Sequence, residues 1–176
     1  MAKKKQYYSI KNVLSTGAQW IILLGQRANG KSYQAKLTVL ENAFKNHRKF
    51  IYLRRWESDI KESYVSDYFA DMPILEITQG QYSGVMAYHG YIYFYNLDDE
   101  DKIIKGECIG RYCALRLNER YKSQVFDGYD YILYEEFITD GLYLGDVNDE
   151  PRILQQFTSS VFRHNKGTVI MIEAKI

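Results

Sequence analysis

The first pattern that can do chemistry is G-x-x-x-x-G-K-S, in which Gly25 and Gly30 frame a loop and Lys31 and Ser32 end it. An apolar segment precedes the loop, and a helical periodicity follows it. The glycines permit a tight turn whose backbone N–H groups converge on a phosphate, and the positive end of the next helix adds to the attraction. Lys31 then reaches the β- and γ-phosphates of a nucleotide, and the Ser32 hydroxyl binds Mg²⁺. A glycine turn that matches by accident is the alternative, and the flanking strand and helix argue against it. The predicted nucleotide-binding residues are Gly25, Gln26, Arg27, Ala28, Asn29, Gly30, Lys31, Ser32 and Tyr33.

A second pattern joins an apolar strand to two consecutive carboxylates, Glu135 and Glu136. Successive side chains of a strand point to opposite faces, but at the end of a strand the chain turns and can aim both carboxylates into one site. One carboxylate can then complete the Mg²⁺ shell while the other polarises the attacking water. The alternative is a strand that simply ends in polar residues. The phosphate loop earlier in the chain favours the catalytic interpretation.

Two adjacent arginines, Arg54 and Arg55, follow the second apolar strand. They fall at the edge where ligands bind in open α/β sheets, so they are candidates for contact with phosphate or DNA. A surface ion pair with Glu57 or Asp59 is an equally good interpretation.

A predicted helix from residue 149 ends near Arg163. A basic residue at that end can simply complement the helix dipole. Alternatively, Arg163 reaches the γ-phosphate bound by a neighbouring subunit and acts as an arginine finger. Arg152 is the second candidate for that role.

The composition is that of one globular domain. The chain has 176 residues, of which 46% are hydrophobic and 26% charged, and its net charge of +1 leaves nucleic-acid contact to local patches. Cys108 and Cys113 are too few for a disulfide framework, which favours reduced thiols in a cytosolic compartment. No apolar run is long enough to span a membrane. Residues 1–8 are predicted to be a basic tail, whose lysines serve either solubility or nucleic-acid contact.

Apolar periodicity divides residues 9–176 into alternating strands and helices. The tight turn His89-Gly90 predicts a β-hairpin. The acidic loop at residues 96–101 has no Ca²⁺-binding spacing, so a solvated loop is favoured over a cation site. This pattern predicts a three-layer α/β domain with a mainly parallel sheet and a hairpin region. The predicted strands are 20–24, 50–53, 74–77, 85–88, 91–95, 107–117, 129–137 and 168–172, and the predicted helices are 32–46, 60–69, 118–124 (a helix or turn) and one that begins at 149.

With these elements in place, the chain resembles the ATPase domain of viral genome-packaging motors of the large-terminase type. It is most similar to the compact packaging ATPases of small tailed bacteriophages whose motors carry a packaging RNA. The resemblance lies in the arginine within the phosphate loop, the arginine-ended strand 52–55, the loop 96–105 and the glutamate pair at 135–136, where the family has aspartate–glutamate. It implies a P-loop NTPase fold of the additional-strand type.

The resemblance also implies residue roles. Lys31 and Ser32 would bind phosphate and Mg²⁺, Glu135 would take the metal-side position, and Glu136 would be the catalytic base. Glutamate at 135 departs from the family's aspartate and is one methylene longer, and Glu173 falls near the place of a polar coupling residue. These residues hold no counterpart of the nuclease-like second domain common in the family, and the resemblance implies that they are the N-terminal domain of a longer protein.

The function implied is ATP hydrolysis, with Mg²⁺ as cofactor, that drives double-stranded DNA into a viral capsid. The implied partners are a homo-oligomeric ring of five subunits, the capsid portal and a packaging RNA, in the host-cell cytoplasm and with no membrane. DNA would be held by backbone contacts, for which Arg54, Arg55, Lys102 and Lys105 are the candidates. Two alternatives stay open: a phosphotransferase acting on a small-molecule acceptor, and a nucleotide-binding assembly module with little turnover.

Overall fold

The computed structural model describes residues 9–139, 141, 143–145 and 149–173. The predicted basic tail at 1–8 and the last three residues lie outside this part of the chain. A seven-stranded sheet forms the centre. The strands are β1 (Trp20–Leu24), β2 (Lys49–Arg54), β3 (Gly84–Tyr88), β4 (Tyr91–Leu97), β5 (Ile103–Ala114), β6 (Tyr129–Glu135) and β7 (Thr168–Glu173). Their order across the sheet is β1-β7-β6-β2-β5-β4-β3. The first five in this order, β1, β7, β6, β2 and β5, run parallel, and the hairpin β3–β4 adds to β5 antiparallel.

Helices cover both faces of the sheet, which confirms the predicted three-layer α/β arrangement. One buried cluster packs α2, α3 and α4 against the first face, and a second packs α5 and α6 against the other. The helices are α1 (Lys11–Leu14), α2 (Lys31–Asn46), α3 (Glu62–Phe69), α4 (Ile74–Ile77), α5 (Asn118–Tyr121) and α6 (Asp149–Val161). None of these helices, within the described residues, has the length and apolar character needed to cross a bilayer.

The long helices form where apolar residues recur at helical spacing. In α2, Ala35, Val39, Leu40 and Ala43 make a buried stripe. Strand β2 is buried on both faces, because helices lie above and below it, and it therefore reads as a continuous apolar run. Gly110 of β5 allows β2 and β5 to approach closely, since a Cβ there would lie 2.4 Å from the carbonyl oxygen of Phe50 in β2.

The predicted strand at residues 74–77 is wrong, because these residues form the helical turn α4. Ile74 and Ile77 are buried and Leu75 is 59% exposed, which fits helical spacing and not alternation. The predicted strand 107–117 is displaced as well: β5 begins at Ile103 and ends at Ala114, and a 3₁₀ turn follows it.

The hairpin and the end of β6 show how the turns are made. His89 and Gly90 both have positive φ, at 47° and 85°, as a two-residue hairpin turn requires, which confirms the predicted hairpin. Strand β6 ends at Glu135, two residues earlier than expected, because Glu136 adopts a φ of +53° and leaves the strand direction. Strand β7 lies between β1 and β6 and is parallel to both. The loop after β1 and the carboxylates that end β6 therefore lie at the same, carboxyl end of the parallel strands.

Candidate active site

The loop between β1 and α2 folds into a tight cradle. Gly25, Ala28 and Gly30 all have positive φ, at 149°, 63° and 80°. Helix α2 begins directly at Lys31, and its first N–H groups have no partner inside the helix. Positive-φ residues followed by a helix N-terminus form a concave surface of backbone N–H groups that suits an anion.

The Lys31 side chain lies inside this loop. It is buried, and its amine donates hydrogen bonds to the carbonyl oxygens of Gly25 at 2.9 Å and Gln26 at 2.6 Å. A Cβ on Gly25 would lie 3.6 Å from the amine nitrogen, so the glycine leaves room for the lysine to fold back over the loop. The ammonium group is therefore fixed at the centre of the cradle.

The cradle opens into a cleft of about 820 Å³ at the carboxyl end of the parallel strands. This volume lies within the usual range of small-molecule sites. The cleft brings together seven of the nine predicted nucleotide-binding residues and both predicted catalytic-strand glutamates. Its lining includes Arg27, Ala28, Asn29, Gly30, Lys31, Ser32, Tyr33, Lys36, Arg54, Arg55, Glu135, Glu136, Thr139 and Glu173.

Glu135 ends β6 and is 9% exposed. Its Oε1 accepts a hydrogen bond from the Tyr68 hydroxyl at 2.5 Å, and the Ser32 hydroxyl also donates to the carboxylate. Burial raises the pKa of Glu135, and these two hydrogen bonds together with the positive charges of Arg54 and Lys36 oppose that rise. The hydroxyl and the carboxylate that are predicted to bind Mg²⁺ thus face the same cleft.

Glu136 leaves the strand and points its carboxylate into the open part of the cleft. Its backbone N–H donates to the Ile172 carbonyl oxygen at 3.0 Å, and its side chain is 64% exposed. The Arg54 guanidinium donates to Glu136 Oε2 at 2.6 Å and also bonds the Tyr52 hydroxyl at 3.3 Å. Arg54 therefore holds the carboxylate that is predicted to be the catalytic base.

The two arginines after β2 have other partners than expected. Asp59 lies 4.0 Å from Arg54, at the limit of an ion pair, and Glu136 is much closer. Arg55 is buried and forms a bidentate pair with Glu150, which is also buried. Both arginines line the cleft, and their predicted contact with DNA stays a prediction.

The Arg55 pair fixes the chain just after the catalytic strand. Arg55 donates to the carbonyl oxygens of Glu136 at 3.3 Å and Phe137 at 2.6 Å. Glu150 accepts further hydrogen bonds from the Tyr134 hydroxyl at 2.8 Å and the Leu144 N–H at 3.0 Å. These hydrogen bonds satisfy the buried charge pair, and they connect the N-terminus of α6 to the residues that follow β6.

The remaining predicted residues lie away from the cleft. Lys102 pairs with Glu100 on the loop after β4, and the Lys105 amine lies 4.7 Å from the Tyr93 ring centre. Both lysines are near the start of β5, at the opposite end of that strand from the cleft. Their proposed contact with nucleic acid stays a prediction.

The two arginine-finger candidates stand at opposite ends of α6. Arg152, in the first turn, is exposed and pairs with Asp149 at 3.0 Å. Arg163 follows the last turn, is exposed, and donates to the Lys122 carbonyl oxygen at 3.2 Å. Because α6 connects the carboxyl end of β6 to the amino end of β7, Arg163 lies at the sheet edge opposite the cleft. It cannot reach the nucleotide site of its own chain.

Sequence reasoning missed two residues beside Glu135. The sequence placed Tyr68 inside the predicted helix 60–69 and Lys36 inside the predicted helix 32–46, and it indicated no role in the site for either residue. Lys36 is buried, donates to the Tyr68 carbonyl oxygen at 2.8 Å, and pairs with Asp71. The available signal was its spacing, because Lys36 follows Ser32 by one helical turn and so faces the same side. Glu173, named for its place near a coupling residue, is buried at the cleft and accepts the Ile138 N–H at 3.0 Å.

The donor set fits a nucleotide triphosphate with Mg²⁺. The cradle supplies N–H groups and an ammonium for phosphate oxygens, and Ser32 with Glu135 supplies hard oxygen ligands. The described residues contain no group of three or more His, Cys, Asp or Glu side chains that can hold a metal by themselves. Mg²⁺ does not require such a group, because it is usually held by one or two protein oxygens, substrate phosphates and water.

Replacing Glu135 by glutamine is expected to stabilise the metal-free protein at pH 7 by about 0.5–2 kcal/mol. Because the folded-state pKa is raised, the folded protein holds the carboxyl proton more tightly than the unfolded chain does, and the ionised group opposes folding at neutral pH. The gain should vanish as the pH falls below the ordinary glutamate value of 4.5. Urea unfolding in EDTA at pH 7 and near pH 4 measures it. The exposed Glu57, changed to glutamine, is the control, and a less stable Glu135→Gln protein at pH 7 contradicts the expectation.

Known proteins are similar to this chain in sequence and in fold. The family model of the podovirus DNA encapsidation protein (Gp16) matches residues 1–175. Two curated DNA packaging proteins, from Bacillus phages PZA and phi29, are each 24% identical over 163 residues, which is 93% of this chain and 44% of theirs. The chain therefore spans less than half the length of these relatives.

Solved structures show the same architecture. The N-terminal domain of the DNA packaging ATPase from bacteriophage phi29 matches with a TM-score of 0.76 and 22% identity, over 97% of this chain and 80% of that one. A mutant large terminase ATPase domain from Thermus phage P74-26 matches with a TM-score of 0.54 and 11% identity, over 96% of this chain and 65% of that one. The fold is thus shared with phage packaging ATPase domains. On the match over nearly its whole length, the chain belongs to the podovirus DNA encapsidation protein (Gp16) family.

Proposed function

We propose that this chain is the ATP-hydrolysing motor domain of a phage DNA-packaging protein. The observation that carries the proposal is that Lys31, Ser32, Glu135 and Glu136 line one cleft, although they come from segments far apart in the sequence. Membership of a DNA encapsidation family supplies the biological process. The P-loop NTPase assignment, with β7 as the additional strand, belongs to the same proposal.

The reaction follows from the chemistry of these side chains. The backbone N–H groups of the loop bind the β-phosphate, and the Lys31 ammonium moves from the loop carbonyls onto the β- and γ-phosphate oxygens. Ser32 and Glu135 would hold Mg²⁺, which would neutralise part of the charge on those oxygens. Glu136 orients the attacking water and accepts its proton, so its carboxylate must leave Arg54 before hydrolysis. The open position of Glu136 gives it room to do so.

The subunit arrangement completes the proposal. Arg163 is exposed at the edge opposite its own cleft, which suits contact with the site of a neighbouring subunit. Such contact implies a ring, for which five subunits are expected from the family resemblance. The family resemblance is also the reason to propose the capsid portal and a packaging RNA as partners and the host-cell cytoplasm as the location.

The proposal is tested by measuring phosphate release with and without double-stranded DNA. We expect release of free phosphate, increased by DNA of any sequence. DNA affinity should fall steeply between 50 and 200 mM salt, because backbone contacts release counterions. Phosphorylation of a small-molecule acceptor would instead favour a phosphotransferase, and nucleotide binding with no turnover would favour an assembly module. A flat salt dependence removes the DNA part of the proposal.

A further inference from the structure

Two aromatic rings and a lysine amine hold the ring of the partly buried Tyr68. Its ring stacks on Tyr52, with centres 4.5 Å apart and planes at 27°, and its edge meets Phe69 at 4.9 Å. The Lys36 amine lies 4.7 Å from the ring centre and also bonds the Tyr68 carbonyl oxygen. The hydroxyl is thereby aimed at Glu135, 67 residues later in the chain.

We propose that Tyr68 is a positioning residue of the metal site, which sets the Glu135 carboxylate for Mg²⁺. The inference rests on the proposed function, because it presumes that Ser32 and Glu135 hold the metal of a bound nucleotide. Tyr68 itself does not touch the metal or the phosphates. It acts through the hydrogen bond to Glu135 Oε1 at 2.5 Å.

The length of the Glu135 side chain makes such a device necessary. A glutamate has one more rotatable bond than an aspartate, so its carboxylate samples more positions relative to the backbone. A hydrogen bond from a rigid donor to one oxygen removes that freedom and leaves the other oxygen for the metal shell. Hydrogen bonds to ligating carboxylates typically change metal affinity or activity by 10- to 100-fold.

The surrounding contacts hold the Tyr68 hydroxyl and the Glu135 carboxylate in position relative to Ser32. Lys36, one turn after Ser32 in α2, bonds the Tyr68 carbonyl oxygen and pairs with Asp71 beyond the end of α3. Helices α2 and α3 are thus joined at the site, so that the Ser32 and Tyr68 hydroxyls approach Glu135 from two connected helices. Packing alone does not require this hydroxyl, because phenylalanine fills the same ring volume.

The test is the Tyr68→Phe variant, with the metal itself as the probe. Electron paramagnetic resonance measures free Mn²⁺ in the presence of a non-hydrolysable ATP analogue. We expect about tenfold weaker Mn²⁺ binding than in wild type. Affinity for the analogue in EDTA should stay the same, which separates a metal effect from a general structural effect. Tyr64→Phe is the matched control, because Tyr64 is 53% exposed in the same helix.

The expected effect depends on Glu135. In the Glu135→Gln background, Tyr68→Phe should produce no further loss. Mn²⁺ affinity equal to wild type in Tyr68→Phe overturns the inference and leaves the proposed function intact, whereas no Mn²⁺ binding by wild type with the analogue overturns the proposed function. Should Tyr68→Phe not fold, 3-fluorotyrosine at position 68 provides the answer. Its ¹⁹F resonance should shift when Mg²⁺ joins the bound analogue, and an unmoved resonance overturns the inference.

Discussion

Changing Glu136 to glutamine is expected to slow ATP hydrolysis by about 10²- to 10⁴-fold while nucleotide binding is retained. The amide has nearly the shape of the carboxylate but cannot accept a proton from the attacking water. The Glu136 side chain is largely exposed in the cleft and its carboxylate bonds Arg54, so the substitution leaves the core untouched. The loss should therefore fall on kcat.

Single-turnover phosphate release and equilibrium binding of a non-hydrolysable analogue separate the two quantities. The exposed Glu57, changed to glutamine, controls for the loss of one surface charge near the same edge of the sheet. Hydrolysis by Glu136→Gln within about threefold of wild type would remove Glu136 from the proton-accepting role. A parallel loss of analogue affinity would assign it to binding instead.

The second large effect is expected at Arg163. In an assembled ring, Arg163→Ala should lower kcat by about 10³-fold or more, because an arginine finger stabilises charge that develops on the transferring phosphoryl group. Arg163 lies at the far end of a helix of 13 residues, roughly 20 Å long, so the affected site must belong to a neighbour. Nucleotide affinity of the isolated subunit should not change.

Mixtures of Arg163→Ala and Glu136→Gln subunits test action between subunits. If the finger acts in trans, such a mixture should regain activity, because some sites receive Glu136 from one subunit and Arg163 from its neighbour. A mixture no more active than either variant alone contradicts a finger in trans. Arg152→Ala is the matched control, since Arg152 lies on the same helix and is paired with Asp149. A larger fall in kcat for Arg152→Ala than for Arg163→Ala would identify Arg152 as the arginine finger instead.

The parts of the fold that follow local rules could be predicted from the sequence. The loop pattern places Gly25, Gly30 and Lys31 because its backbone geometry depends on adjacent residues only. The hairpin at His89-Gly90 follows for the same reason, since positive φ at two turn residues is a local property. Helix α2 and strand β2 were found because their periodicity runs over several residues.

Local signals fail where tertiary packing decides. Residues 74–77 form a short, mainly apolar segment whose sequence is compatible with a strand or with one helical turn. Burial of Ile74 and Ile77 on one side favours the helical turn. The end of β6 is set by Glu136, whose N–H bonds a strand that lies 36 residues further on, at Ile172.

Partners of charged residues are the least predictable part of the site. Arg55 was expected to pair within a few residues, and its partner Glu150 lies 95 residues away. Tyr68 meets Glu135 across 67 residues, and only the close approach of α3 to the end of β6 brings them together. The sequence indicates which residues can do chemistry at a nucleotide, but the residues that hold them in position become visible only in the folded chain.

The central claim is that the Lys31 loop and the Glu136 carboxylate enclose the triphosphate of a bound nucleotide. Titration calorimetry of wild type and Lys31→Ala with a non-hydrolysable ATP analogue and Mg²⁺ tests it most directly, with Lys105→Ala as the control lysine. The account predicts one site in wild type, unchanged in Lys105→Ala, and about 10- to 100-fold weaker binding in Lys31→Ala, because a charged hydrogen bond to phosphate is lost. Equal affinity in wild type and Lys31→Ala, or no binding by wild type, would contradict it.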